Sequence, residues 1–85
     1  MLKVTVQNNL IITDLTYSEI EHIFKEIIDI FNMVNKSKNL SELALSMNHY
    51  NFHSFTYGFT PTTMWVKQYV GRNVIDKVII LVEIN

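Results

Sequence analysis

The chain has 85 residues and a net charge of −1, with 48% hydrophobic and 18% charged residues. This size fits one α+β domain spanning 1–85, and the balance excludes intrinsic disorder, a basic nucleic-acid footprint and an acidic nucleic-acid mimic. The absence of cysteine excludes a disulfide framework and a thiolate site.

Leu2-Lys3-Val4-Thr5-Val6 alternates apolar and polar residues, and Leu10-Ile11-Ile12-Thr13 follows beyond Gln7-Asn8-Asn9. Asparagine tolerates positive φ, so this segment predicts a tight hairpin with strands at 2–7 and 10–14.

Thr16-Tyr17-Ser18-Glu19 has capping-box spacing, with Leu15 and Ile20 at staple positions. Ile20, Ile23, Phe24, Ile27, Phe31 and Val34 then recur at helical spacing, and Ile28 and Ile30 widen the stripe. The pattern predicts one long helix over 17–35, lying on a sheet. Its outer face carries Glu21, His22, Lys25, Glu26, Asp29 and Asn32, with Glu21–Lys25 and Lys25–Asp29 as i,i+4 pairs. Met33 falls on the polar side as an anomaly.

Beyond the polar loop at 36–39, residues 42–47 alternate and read as a strand. Asn39 with Glu42 three residues on gives the alternative, a short helix. Residues 52–59 alternate aromatics with Ser54, Thr56 and Gly58 and read as a strand. Thr60-Pro61-Thr62 breaks the chain. Residues 63–70 have strand composition, although Pro61 and Gly71 are also the punctuation of a helix. Gly71-Arg72-Asn73 is a turn, and 74–84 is a strand. Its run Val78–Val82 is apolar on both faces, which places it centrally in the sheet. The expectation is a mostly antiparallel sheet crossed by a single long helix, in the order ββαβββ.

The amino terminus lacks the long apolar stretch of a signal peptide, and Val78–Val82 falls far short of the roughly 20 residues a membrane helix needs. Neither a membrane partner nor an extracellular setting is expected, so the location reads as cytoplasmic. Charge is uneven: residues 1–35 carry net −3 and the rest net +2. An acidic helix face accounts for it.

No constellation carries recognisable chemistry. His49 and His53 have the i,i+4 spacing of a helical zinc pair, but no third ligand lies nearby, so no metal is expected. There is no Gly-x-Ser-x-Gly elbow, and with only Gly58 and Gly71 no phosphate-cradling loop or nucleotide cofactor is expected. A metal-independent ribonuclease or toxin would draw on His49, His53, Lys67, Tyr69, Arg72 and Glu83, against a charge balance that disfavours RNA. Stacking of single strands on Tyr57, Trp65 and Tyr69 beside Lys67 and Arg72 meets the same objection.

Residues 48–59 hold five aromatics, two histidines and no charged residue. Rings mixed with small polar groups suit a recognition surface. One helix cannot cover every apolar position on five strands, so a protein partner or a second copy is expected to hide the rest. Tyr50, Phe52, His53, Tyr57, Trp65, Lys67, Tyr69 and Arg72 are the candidate contact residues. Ile and Asn are abundant and Ala44 is the only alanine, as in translation of an AT-rich gene. The resulting expectation is a small non-enzymatic binding protein of a phage or mobile element. It would block a host factor in the host cytoplasm, in the manner of an anti-CRISPR or anti-restriction inhibitor. A virion or assembly component is the other alternative.

Overall fold

A computed structural model describes all 85 residues. The elements run β1 (Leu2–Val6), α1 (Tyr17–Lys36), α2 (Leu40–Asn48), β2 (Phe55–Phe59), β3 (Thr63–Val70) and β4 (Asn73–Ile84). The four strands form one antiparallel sheet in the order β1-β4-β3-β2, and both helices pack on it. The α+β class is as expected, and β4 lies inside the sheet. No helix is long and apolar enough to cross a membrane.

Local chemistry explains most boundaries. The Thr16 hydroxyl accepts from the Glu19 N–H, and the Glu19 carboxylate accepts from the Thr16 N–H. That exchange starts α1 and holds the Glu19 carboxyl below its usual range. The Thr60 hydroxyl accepts from the N–H groups of Thr62 and Thr63 and closes the β2–β3 turn. Gly71, at φ +61°, begins the two-residue β3–β4 turn, where a side chain would be strained.

Two expected strands do not form. Residues 40–48 are helix α2, capped by the Asn39 side chain, which accepts from the Glu42 N–H at 2.9 Å. Leu43 and Met47 are buried at i,i+4 while Leu45 is exposed, so the helical period wins over the alternation. The predicted single helix is therefore a pair.

Residues 10–14 are irregular rather than β. The buried side chain of Gln68 accepts from the Ile11 N–H at 2.8 Å and donates to the Ile11 carbonyl at 2.6 Å. One side-chain amide thus replaces the strand pairing this segment lacks. Asn8 donates to the Val78 carbonyl, and the Gln7 N–H to that of Ile79, which completes the tie.

The core joins Ile23, Ile30 and Val34 of α1 with Leu43 and Met47 of α2, Phe55 of β2, Met64 and Val66 of β3, and Ile79, Ile80 and Val82 of β4. Met33 packs against this cluster, which resolves its anomalous position.

Candidate functional site

Helix α1 has two unlike flanks on either side of its buried stripe. The flank toward α2 and the 49–54 segment is polar and closed. Tyr50 donates its hydroxyl to Asp29 at 2.5 Å, and Lys25 reaches Asp29 at 3.1 Å and the Tyr50 oxygen at 3.4 Å. The Tyr50 hydroxyl, with Lys25 beside it, holds the Asp29 carboxyl below its usual range. Burial, followed by the bond to Asp29, pushes the Tyr50 phenol up. Lys25 is raised by its bond to Asp29. Of the two expected i,i+4 pairs, Lys25–Asp29 forms and Glu21–Lys25 does not.

Glu26 corrects the predicted outer face. It is 2% exposed, and its carboxylate accepts from the N–H groups of His53 and Ser54 at 3.0–3.1 Å. A carboxylate so placed orders the chain just before β2 and satisfies two main-chain donors. Above it the His22 and His53 rings stack with centroids 4.5 Å apart. Nothing in the sequence pattern marks this pair, because the residues lie 31 positions apart.

The other flank is apolar and open. Tyr17 is 78% exposed, Phe24 50%, Ile28 60% and Phe31 38%. Phe24 and Phe31 were expected in the buried stripe, with Ile28 at its margin. At 100° per residue the set lies about 110° round the helix from Ile23, Ile30 and Val34. Two faces of one helix cannot both meet one sheet, so these side chains stay at the surface. Phe31 sits beside two hollows. One, of about 680 Å³, is lined by Met1, Leu2, Val4, Asn35, Ser37 and Lys38 among others. The second, of about 280 Å³, includes Val6, Leu10 and Ile27.

The face of the sheet opposite the helices forms a third surface. Along β3, Met64, Val66 and Gln68 are buried beneath the helices, while Trp65 and Lys67 alternate onto the opposite side. Trp65 pairs with Gly58 across the β2–β3 ladder, and its indole packs over that glycine. A β-carbon on Gly58 would collide with Cζ2 of the ring. The Lys67 amine sits 4.8 Å from the indole centroid and 2.8 Å from the Asp76 carboxylate, whose pKa it lowers.

The eight candidate contact residues divide among these regions. Tyr50, Phe52 and Tyr57 form a chain of rings on the helix side, with centroids 4.4 and 5.8 Å apart. Phe52 and Tyr57 pack against the core, and Tyr57 donates to Asn48 at 2.6 Å. His53 stacks on His22, and Tyr69 borders a hollow shared with both histidines. Trp65 and Lys67 occupy the uncovered face, and Arg72 is exposed in the β3–β4 turn. They do not make one continuous surface. The six ribonuclease candidates do not converge either. The His49 ring is held on the Leu45 carbonyl at the end of α2, while Lys67 faces the far side of the sheet from His53.

No family model matches the chain, and no curated protein or solved structure is similar enough to it to lend a function.

Proposed function

We propose that this chain is a non-enzymatic protein-binding module that blocks a host factor by steric occlusion. It acts in the host-cell cytoplasm as a phage or mobile-element antagonist of a CRISPR or restriction system. The observation that carries the binding reading is Trp65, a large ring packed against Gly58 on the side of the sheet the helices leave bare. An aromatic already packed against its neighbour has less rotamer freedom to lose on binding, which is the property of an interface anchor. Lys67, fixed between Trp65 and Asp76, adds an oriented charge beside it. The residue usage, rich in Ile and Asn with a single alanine, supports the source. A second copy of the chain is the other partner this reading admits, on a different surface.

The test is protection of an invading phage in cells carrying one defence system at a time. The wild-type chain raises phage survival under one such system. Trp65→Ala and Lys67→Glu lose that protection while keeping the wild-type melting curve. Cleavage of RNA by the pure protein, abolished by His53→Ala, would replace this reading with the ribonuclease one.

A further inference from the structure

Tyr17, Phe24 and Phe31 fall seven residues apart, and Ile28 lies between the last two. Seven-residue spacing with an intermediate apolar position is the seam of a two-helix coiled coil. The seam has no partner inside the chain: all four side chains are exposed, and they share one flank of α1. We infer that α1 pairs with α1 of a second copy, antiparallel, about a two-fold axis passing beside Ile28. This extends the binding-module reading to a self-interaction on a surface that reading does not use.

Three observations select a second copy as the occupant. The first is shape. With the axis passing just beside Ile28, between residues 27 and 28, Phe24 of one copy meets Phe31 of the other, and Tyr17 arrives opposite position 38. Tyr17 is the most exposed aromatic ring, and the largest hollow lies at the far end of the same helix, lined by Asn35, Ser37 and Lys38. A two-fold axis presents each copy's projecting ring to the other's hollow.

The second is charge. Glu21 lies beside Tyr17 and Phe24 near the start of α1, and Lys38, just past its end, lines the hollow beside Phe31. Glu21 and Lys38 make no salt bridge within the chain, whose ion pairs are Lys25–Asp29 and Lys67–Asp76. Antiparallel pairing sets the acidic end against the lysine end twice and opposes the helix dipoles. Parallel pairing would align like charges.

The third is area. The four seam side chains leave roughly 500 Å² exposed. Met1 and Val6, beside the hollows that flank Phe31, extend the patch toward the about 800 Å² per partner of a stable interface. The uncovered face of the sheet, with Trp65, points away from this seam and stays free in both copies.

The test is sedimentation of the full chain with single substitutions. The wild-type protein sediments at twice its 10.0-kDa mass at micromolar concentration. Ile28→Glu sediments at the monomer mass with unchanged helical circular dichroism, because two carboxylates would meet beside the axis. Tyr17→Ala weakens the dimer by about tenfold or more. Direction is read by cross-linking, which the cysteine-free chain makes clean. Ile28→Cys forms a disulfide-linked dimer under oxidised glutathione, while Tyr17→Cys, far from its own mate, does not. A wild-type monomer at 100-fold higher concentration would overturn the inference. So would a dimer indifferent to both Ile28→Glu and Phe24→Glu, or one cross-linked equally well through Tyr17→Cys. Dimerisation can fail while Trp65-dependent protection persists, so the two proposals are separable.

Discussion

On its α2-facing flank, helix α1 carries Lys25, Glu26 and Asp29, and each is met by a group from the 50–54 segment or by its own neighbour. On the opposite flank it carries Phe24, Ile28 and Phe31, and the rest of the chain leaves each of them more than a third exposed. Both flanks border the same buried stripe of Ile23, Ile30 and Val34. The polar flank is therefore finished within one chain, by hydrogen bonds that need fixed partners. The apolar flank is finished only by excluding water, which a second macromolecule can do. The difference separates side chains that hold the domain together from side chains left for contact.

Substitutions should break the two flanks in different ways. The largest loss is expected at Glu26→Ala, which leaves the buried Ser54 N–H and the part-buried His53 N–H without an acceptor. It should destabilise the fold by about 3 kcal/mol in urea unfolding. A loss under 1 kcal/mol would mean that water replaces the carboxylate and that the closed flank is not closed.

Gln68→Ala comes next, at about 2 kcal/mol, since it removes both bonds to Ile11. Hydrogen exchange should speed up at the Ile11 amide well before the β3–β4 ladder. Uniform acceleration across the sheet would show that Gln68 supports more than the 7–15 segment. Tyr50→Phe should lower stability by about 1 kcal/mol by removing one partly exposed bond to Asp29.

The same cluster sets a pH window. Asp29 is held below the unfolded carboxylate value of about 3.9, so its contribution is present above that value. It is lost as pH falls through the lower, folded one. Tyr50 and Lys25 are raised, so their contributions are present below their unfolded values near pH 10. They fade as pH rises through the folded ones. Tyr50→Phe should flatten both limbs of a stability-against-pH curve; unchanged limbs would remove the cluster from the account.

The smallest effect on folding is expected on the apolar flank. In solution dilute enough to hold monomer, Ile28→Glu should shift stability by under about 0.5 kcal/mol. A loss of several kcal/mol would make that flank part of the core.

The legible parts of the sequence were those with redundant local signals. The capping box at Thr16–Glu19, the break at Thr60-Pro61-Thr62 and the both-sided apolar run in β4 each appear where expected. Residues 40–48 were ambiguous because three apolar residues at alternate positions fit either period. The Asn39 cap, a single side chain, decided it. The hairpin at 2–14 misled because Ile11 and Ile12 look like strand residues, whereas Gln68, 57 positions away from Ile11, supplies their anchor. Within α1 the periodicity was right but the width was not. The pattern puts eight apolar positions on one stripe, and only part of that arc can meet the sheet. Glu26 was hidden for the opposite reason, since its acceptor role depends on N–H groups that no side-chain pattern records.

The division between the flanks is tested most directly by a dilution series of amide NMR spectra of the wild-type chain. The account predicts concentration-dependent shifts at Tyr17, Phe24, Ile28 and Phe31 and around Ser37–Lys38, with Tyr50, His53 and Trp65 unmoved. Shifts gathered instead at 50–54, or none across two decades of concentration, would contradict it.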